Sequence, residues 1–152
     1  MTESLDATDW AILTELQKDG RIPLTELGRR VSLSSSAATE RVRRLEAAGV
    51  ITGYQATVDL EKVGLPVLAV IRMKYHDRRH EPFRRFVHER PEIVECLRIT
   101  GEDCYLLKVS TASMARLETL VDEICAYGST TTSLVYSQPL PYRGATRPEP
   151  PA

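Results

Sequence analysis

The stretch Leu33-Ser-Ser-Ser-Ala-Ala-Thr-Glu-Arg-Val-Arg-Arg-Leu-Glu-Ala-Ala-Gly-Val-Ile51 sets the reading of the N-terminal half. Ser34 suits a helix N-cap, because its hydroxyl oxygen accepts from the free N–H groups of a first turn. Ala38, Val42 and Leu45 follow at helical spacing and form a narrow apolar stripe. Gly49 supplies a left-handed stop. Ser35, Ser36, Thr39, Glu40, Arg43 and Arg44 are left facing outward. Hydroxyls at a helix start can approach phosphates and base edges. Arginines further along reach phosphates or the O6 and N7 of guanine. Taken alone, the same face also describes a solvated, arginine-rich helix.

Two short upstream helices favour the nucleic-acid reading. The first spans about Asp6 to Lys18, with Ile12, Leu13 and Leu16 inward and Asp9 on the same side. Trp10 falls off that stripe and reads as a half-buried edge residue or, alternatively, as one that packs on a partner. Asp19-Gly20 ends this helix. The second begins at Pro23 and Thr25 and turns Leu24, Leu27, Gly28 and Val31 inward. Gly28 has no side chain to clash, so another helix can approach closely there. Ser32-Leu33-Ser34 is then a tight turn into the third helix, which makes a helix-turn-helix. Residues 29–44 hold five arginines against Glu40, a local charge of +4 on a chain whose net charge is −1. Such a patch suits salt-sensitive DNA binding. Arg41 lies nearest the apolar stripe, and its structural alternative is an ion pair with Glu46 or Asp9.

The chain has 152 residues, room for two small domains. Val50 to Leu60 is β-prone and predicts a small wing or linking strand. Gly64-Leu65-Pro66 marks a boundary. Beyond it the pattern predicts strands over Val67–Tyr75, Ile93–Thr100, Cys104–Thr111 and Thr130–Ser137. Helices are predicted over Glu81–Glu89 and Met114–Ala126. Phe83, Phe86 and Val87 face inward from the first of these, and Leu117, Leu120, Val121 and Ile124 from the second. The order βαββαβ is the ferredoxin-like plan. Its open sheet face still carries apolar side chains and calls for a cover, which a second copy would supply. The fold class is therefore α+β: a winged helix-turn-helix domain over residues 1–53, a linking strand and linker over 54–65, and a ferredoxin-like domain over 66–138. A proline-rich tail, 139–152, is expected to be largely disordered.

Cys96, Cys104 and Cys125 are few, odd in number and lack metal-type spacing. They read as reduced thiols of a cytoplasmic protein, Cys125 on the inner side of its helix. No segment reads as a membrane span, and no metal or cofactor motif is present. His76, His80 and His88 have no nucleophile at a recognisable spacing, so an enzyme is disfavoured.

Together the two halves resemble the leucine-responsive regulatory protein/AsnC family of transcription regulators, up to about Tyr136. The carrying motifs are Leu5-Asp6-x-x-Asp9-x-x-Ile12-Leu13, Leu27-Gly28-x-x-Val31, and Leu33-Ser34 followed by Arg41-Val42-x-Arg44-Leu45-Glu46-x-x-Gly49-Val50-Ile51-x-Gly53-Tyr54. The second half adds Thr100-Gly101-Glu102-Asp103-Cys104-Tyr105-Leu106-Leu107-Lys108-Val109 and a threonine-rich last strand. The resemblance implies binding to double-stranded DNA, and the helix reading places Ser34, Ser35, Ser36, Thr39, Arg41, Arg43 and Arg44 at that interface. The resemblance implies homodimers that assemble further, for example to octamers. It also implies a small effector, typically an amino acid, held by Gly101, Glu102, Asp103, Cys104, Thr130 and Thr132. Many members place an aspartate three residues after the turn glycine, where this chain has Cys104, preceded by Asp103. On local reading alone, Gly101-Glu102-Asp103 is also a plain hairpin turn, and the threonines are also ordinary strand formers. The alternative function is an amino-acid-binding assembly protein of the same fold with no role on DNA.

Overall fold

A computed structural model describes residues 5–149, which fall into two compact units. One holds the described residues up to Thr57 together with those from Leu140 onward; the other is Val58–Pro139.

The N-terminal unit contains α1 (Ala7–Lys18), α2 (Leu24–Arg30) and α3 (Ser35–Ala47). Ile12, Ile22, Leu27, Val42 and Leu45 form its core. Ser34 caps α3 by accepting from Ala37 N–H at 3.2 Å. Leu24 stays partly exposed, because a seven-residue helix buries little beyond Leu27 and Gly28. The turn from α2 to α3 is held by Leu33 N–H donating to the Gly28 carbonyl at 2.8 Å. Ser32 makes the corner at φ 57, and α3 stops at Gly49 with φ 68. A Cβ on Gly28 would lie 2.8 Å from the Leu33 carbonyl oxygen and 3.2 Å from that of Ser34. What approaches this glycine is therefore the turn's own backbone, not the packed face of another helix as expected.

The expected wing does not form. Val50 and Ile51 donate to the Leu45 carbonyl and pack on the helical core, so they terminate α3 rather than start a strand. Residues 52–59 have no regular structure and lie exposed. A β-prone segment needs a ladder partner, and none of the described residues provides one. Residues 135–149 have no helix or strand, but Gln17 Nε2 donates to the Ala145 carbonyl at 3.0 Å, which ties the tail to α1. The last residues of the tail, 150–152, lie outside the described ones.

The second unit follows the predicted order: β1 (Val67–Tyr75), α4 (Glu81–His88), β2 (Ile93–Arg98), β3 (Tyr105–Thr111), α5 (Met114–Cys125) and β4 (Gly128–Leu134). Its antiparallel sheet has the order β2-β3-β1-β4. Ala69, Ile71, Met73 and Tyr75 alternate inward and meet Leu107, Val109, Phe83, Phe86, Leu117, Leu120 and Ile124. Strand β4 starts two residues before the predicted Thr130, because Gly128 lies against the Lys74 carbonyl where no larger residue fits. Cys125 is exposed rather than inward. It sits four residues beyond Val121, which is itself only half-buried, so the buried stripe runs through Leu117, Leu120 and Ile124 instead.

Gly28→Ala should destabilise the N-terminal unit by about 1–3 kcal/mol, since backbone rather than a mobile side chain blocks the new methyl. Thermal unfolding measures this, and an unchanged melting temperature would mean that the turn does not need glycine.

Candidate DNA interface and effector turn

The geometry of α3 is set by a carboxylate at its base. Asp9 is 1% exposed. Asp6 and Asp9 cap α1 reciprocally: Asp9 N–H donates to Asp6 Oδ1 at 2.8 Å, and Asp6 N–H donates to Asp9 Oδ2 at 3.1 Å. Two guanidiniums from α3 complete the cluster. Arg41 Nη1 donates to Asp6 Oδ2 and Asp9 Oδ1, both at 2.8 Å. Arg44 Nη2 donates to both Asp9 oxygens at 2.7 Å. A buried carboxylate is tolerated only when its charge and lone pairs are met, and here α3 meets them. The Arg41 guanidinium, aided by the Asp9 amide, holds the Asp6 carboxyl down at about 2.

This network bears on the predicted interface. Arg41 and Arg44 are predicted DNA contacts, with an ion pair to Glu46 or Asp9 as the alternative for Arg41. Both are engaged by carboxylates of α1. Arg29 and Arg30 are likewise engaged by Glu26, at 2.7 and 2.9 Å, and their guanidiniums hold it down at about 2. Among the described residues, Arg43 is the one arginine of the basic patch without a carboxylate partner. At 100° per residue it shares the outward face with Ser36, Glu40 and Ala47. Ser36 is exposed and hydrogen-bonded to the Ser34 hydroxyl at 3.1 Å. Ser35 is exposed in the first turn. Thr39 is turned back, donating to the Ser35 carbonyl at 2.7 Å, which leaves its oxygen able to accept. Glu40, absent from the predicted set, stands in the middle of the outward face.

In the second unit the β2–β3 turn carries Gly101 at φ 116, with nothing within 4 Å of a would-be Cβ. Cys104 N–H donates to the Met73 carbonyl at 2.8 Å and anchors the turn to β1. Glu102 lies 3.4 Å from Lys74 Nζ, and Asp103 lies 3.9 Å from Arg72 Nε. Arg72 and Lys74 point from the open sheet face. Thr130 and Thr132 pair with Met73 and Ile71 and so occupy the opposite, helix-bearing face, where Thr130 meets the Cys125 thiol at 3.3 Å. One chain therefore does not gather the six effector residues into one cavity. Arg72 and Lys74, which sequence reading passed over, are the partners of the turn acids; their alternation on β1 was the available signal. Among the described residues no cluster of metal-ligating side chains occurs, and no helix is long and apolar enough to cross a membrane.

Comparison with known proteins decides the family. The profile of the AsnC-type helix-turn-helix domain matches residues 5–46, and that of the Lrp/AsnC ligand binding domain matches residues 67–145. The chain belongs to the Lrp/AsnC family. It is 37% identical to the HTH-type transcriptional regulator LrpC of Bacillus subtilis, over 88% of this chain and 93% of LrpC. The solved LrpC structure superposes with a TM-score of 0.86, covering 90% of this chain and 97% of that one. A feast or famine regulatory protein from M. tuberculosis, solved in complex with L-methionine, is 33% identical with a TM-score of 0.88, covering 95% of this chain and all of that one. A transcriptional regulator from Neisseria meningitidis, also an L-methionine complex, is 32% identical with a TM-score of 0.85 over 92% and 94% of the two chains. This Lrp/AsnC protein is accordingly a DNA-binding transcription regulator.

Asp9→Ala should cost about 3–5 kcal/mol, because Arg41 and Arg44 lose the charge they converge on. The Asp6 carboxyl adds a pH dependence. Its folded value lies below the ordinary 3.8, so its contribution is full above that value and is lost as pH falls toward about 2. Melting curves between pH 5 and 2 should fall more steeply for the wild type than for Arg41→Gln; parallel curves would remove the Asp6–Arg41 pair from the account.

Proposed function

We propose that this regulator reads operator DNA through Ser35, Ser36, Thr39, Glu40 and Arg43, with Ser34, Arg41 and Arg44 serving chiefly to cap and orient the helix. The observation that carries this is the single unpaired arginine on the face of α3 opposite its buried stripe. Arg43 suits guanine or phosphate, and the Glu40 carboxylate suits the N4 amine of cytosine. Two copies join through the open sheet face, where Leu68, Val70, Leu97 and Leu106 lie among Arg72, Lys74, Glu95 and Lys108. A face of mixed apolar and charged side chains is suited to a self-complementary interface. Dimerisation sets two α3 helices one turn of DNA apart, or a multiple of it. Dimers associate further, to an octamer or a similar assembly, in the cytoplasm.

The effector is an amino acid bound at the Gly101–Cys104 turn, completed by a neighbouring dimer. The long Arg72–Asp103 pair offers the two charges of a zwitterion: Asp103 for the ammonium in place of the aspartate absent at Cys104, and Arg72 for the carboxylate. The L-methionine complexes of the relatives support this ligand class. The effector acts through its different affinities for the assembly states.

Arg43→Ala should weaken binding to all sequences and lower the slope of log affinity against log salt by about one. An unchanged slope would take Arg43 out of the interface. Leu106→Glu should convert the dimer to a monomer in light scattering while circular dichroism is retained; a persistent dimer would place the interface elsewhere.

A further inference from the structure

The groove between α4 and the outer strand β2 has a volume of about 650 Å3 and is lined by none of the residues assigned to the effector turn. Its lining combines apolar side chains, among them Val87 and Ile93, with Arg84, Arg98, His80 and Tyr105. Arg98 Nη2 lies 3.0 Å from His80 Nε2, and His80 Nδ1 lies 2.8 Å from the Tyr105 hydroxyl. A guanidinium can only donate, so Nε2 accepts and Nδ1 carries the imidazole proton, which it gives to the Tyr105 oxygen. The phenol hydrogen is then left for another acceptor. Stacking on Tyr75, at 4.9 Å between centroids, fixes the imidazole ring.

Two arginines of this groove lack a close carboxylate partner. Arg98 has no carboxylate partner among the described residues, and Arg84 has only a 3.8 Å approach to the exposed Glu81. Arg90 is set apart by its 2.6 Å pair with Glu123. Glu95 is the sole acid in the lining and sits across the sheet from Lys108. Both Arg98 and Arg84 are close enough to Tyr105 to favour its ionised form, yet burial outweighs them and pushes the phenol up, so it remains a donor.

We propose that this groove is a second small-molecule site, separate from the Gly101–Cys104 turn, and that it takes a 2-oxo acid with an aliphatic tail. The carboxylate sits between Arg98 and Arg84, and the oxo oxygen accepts from the Tyr105 hydroxyl. The tail lies on Val87 and Ile93. An α-amino acid is disfavoured here, because its ammonium would face guanidiniums rather than carboxylates. The turn, with Glu102 and Asp103, has the opposite bias. The two sites thus divide an amino acid from its deaminated counterpart by charge alone.

Calorimetric titration of the full chain with 4-methyl-2-oxopentanoate, L-leucine and inorganic phosphate tests this. The oxo acid should bind, and Arg98→Gln and the exposed Arg84→Gln should each weaken it at least about tenfold while leaving the melting temperature unchanged. Asp103→Asn should leave oxo-acid binding intact. No binding of the oxo acid, equal affinity in Arg84→Gln, phosphate binding as tightly, or loss in Asp103→Asn would each overturn the proposal. L-leucine binding lost in Asp103→Asn but kept in Arg84→Gln would separate the two sites; L-leucine lost in Arg84→Gln would overturn the division.

Discussion

The N-terminal domain depends on one buried carboxylate. Asp9 caps its own helix, closes a reciprocal pair with Asp6 and receives both Arg41 and Arg44 from α3. Each group alone would be costly to bury or idle at the surface. Joined, they tie α3 to α1 beside the apolar stripe of Ala38, Val42 and Leu45. The proposed reading surface lies on the side of α3 away from this cluster. Of the five clustered arginines, four are engaged by acids of the same domain.

Much of this was legible in sequence. Strand β1 ran over the foreseen Val67–Tyr75, because its buried–exposed alternation is bounded by a proline and by a polar turn. The Ser34 cap, the Ala38–Val42–Leu45 stripe and the Gly49 stop each carry a local signal, and α3 formed accordingly. Errors arose where a distant partner decides. Val50 and Ile51 look like strand residues, but the helical core was nearer than any ladder. Cys125 shows that a stripe's edge cannot be placed until the sheet beneath the helix is known. The Asp9 partnership spans 32 to 35 residues, and sequence offered it only as one alternative for Arg41 and not at all for Arg44.

The candidate sites differ in the same respect. The face of α3 is complete within one chain and could be read residue by residue. The effector turn is not, since Thr130 and Thr132 lie on the opposite face of the sheet from Arg72 and Asp103. In the proposed reading another copy finishes this site, which would make ligand binding and assembly one equilibrium. The α4–β2 groove is the reverse case: a cavity complete in one chain, built from His80, Arg98 and Tyr105, whose separations of 18 and 25 residues gave no pattern to find.

The central claim is that the Asp9 network orients α3 for base reading rather than supplying charge to DNA. The most direct measurement is the ratio of specific to non-specific affinity for Asp9→Asn, using an operator selected from random DNA and checked for folding at the assay temperature. The account predicts that the ratio collapses while non-specific affinity holds or rises, because Arg41 and Arg44 are released toward phosphate. A preserved ratio with uniformly weaker binding would contradict it.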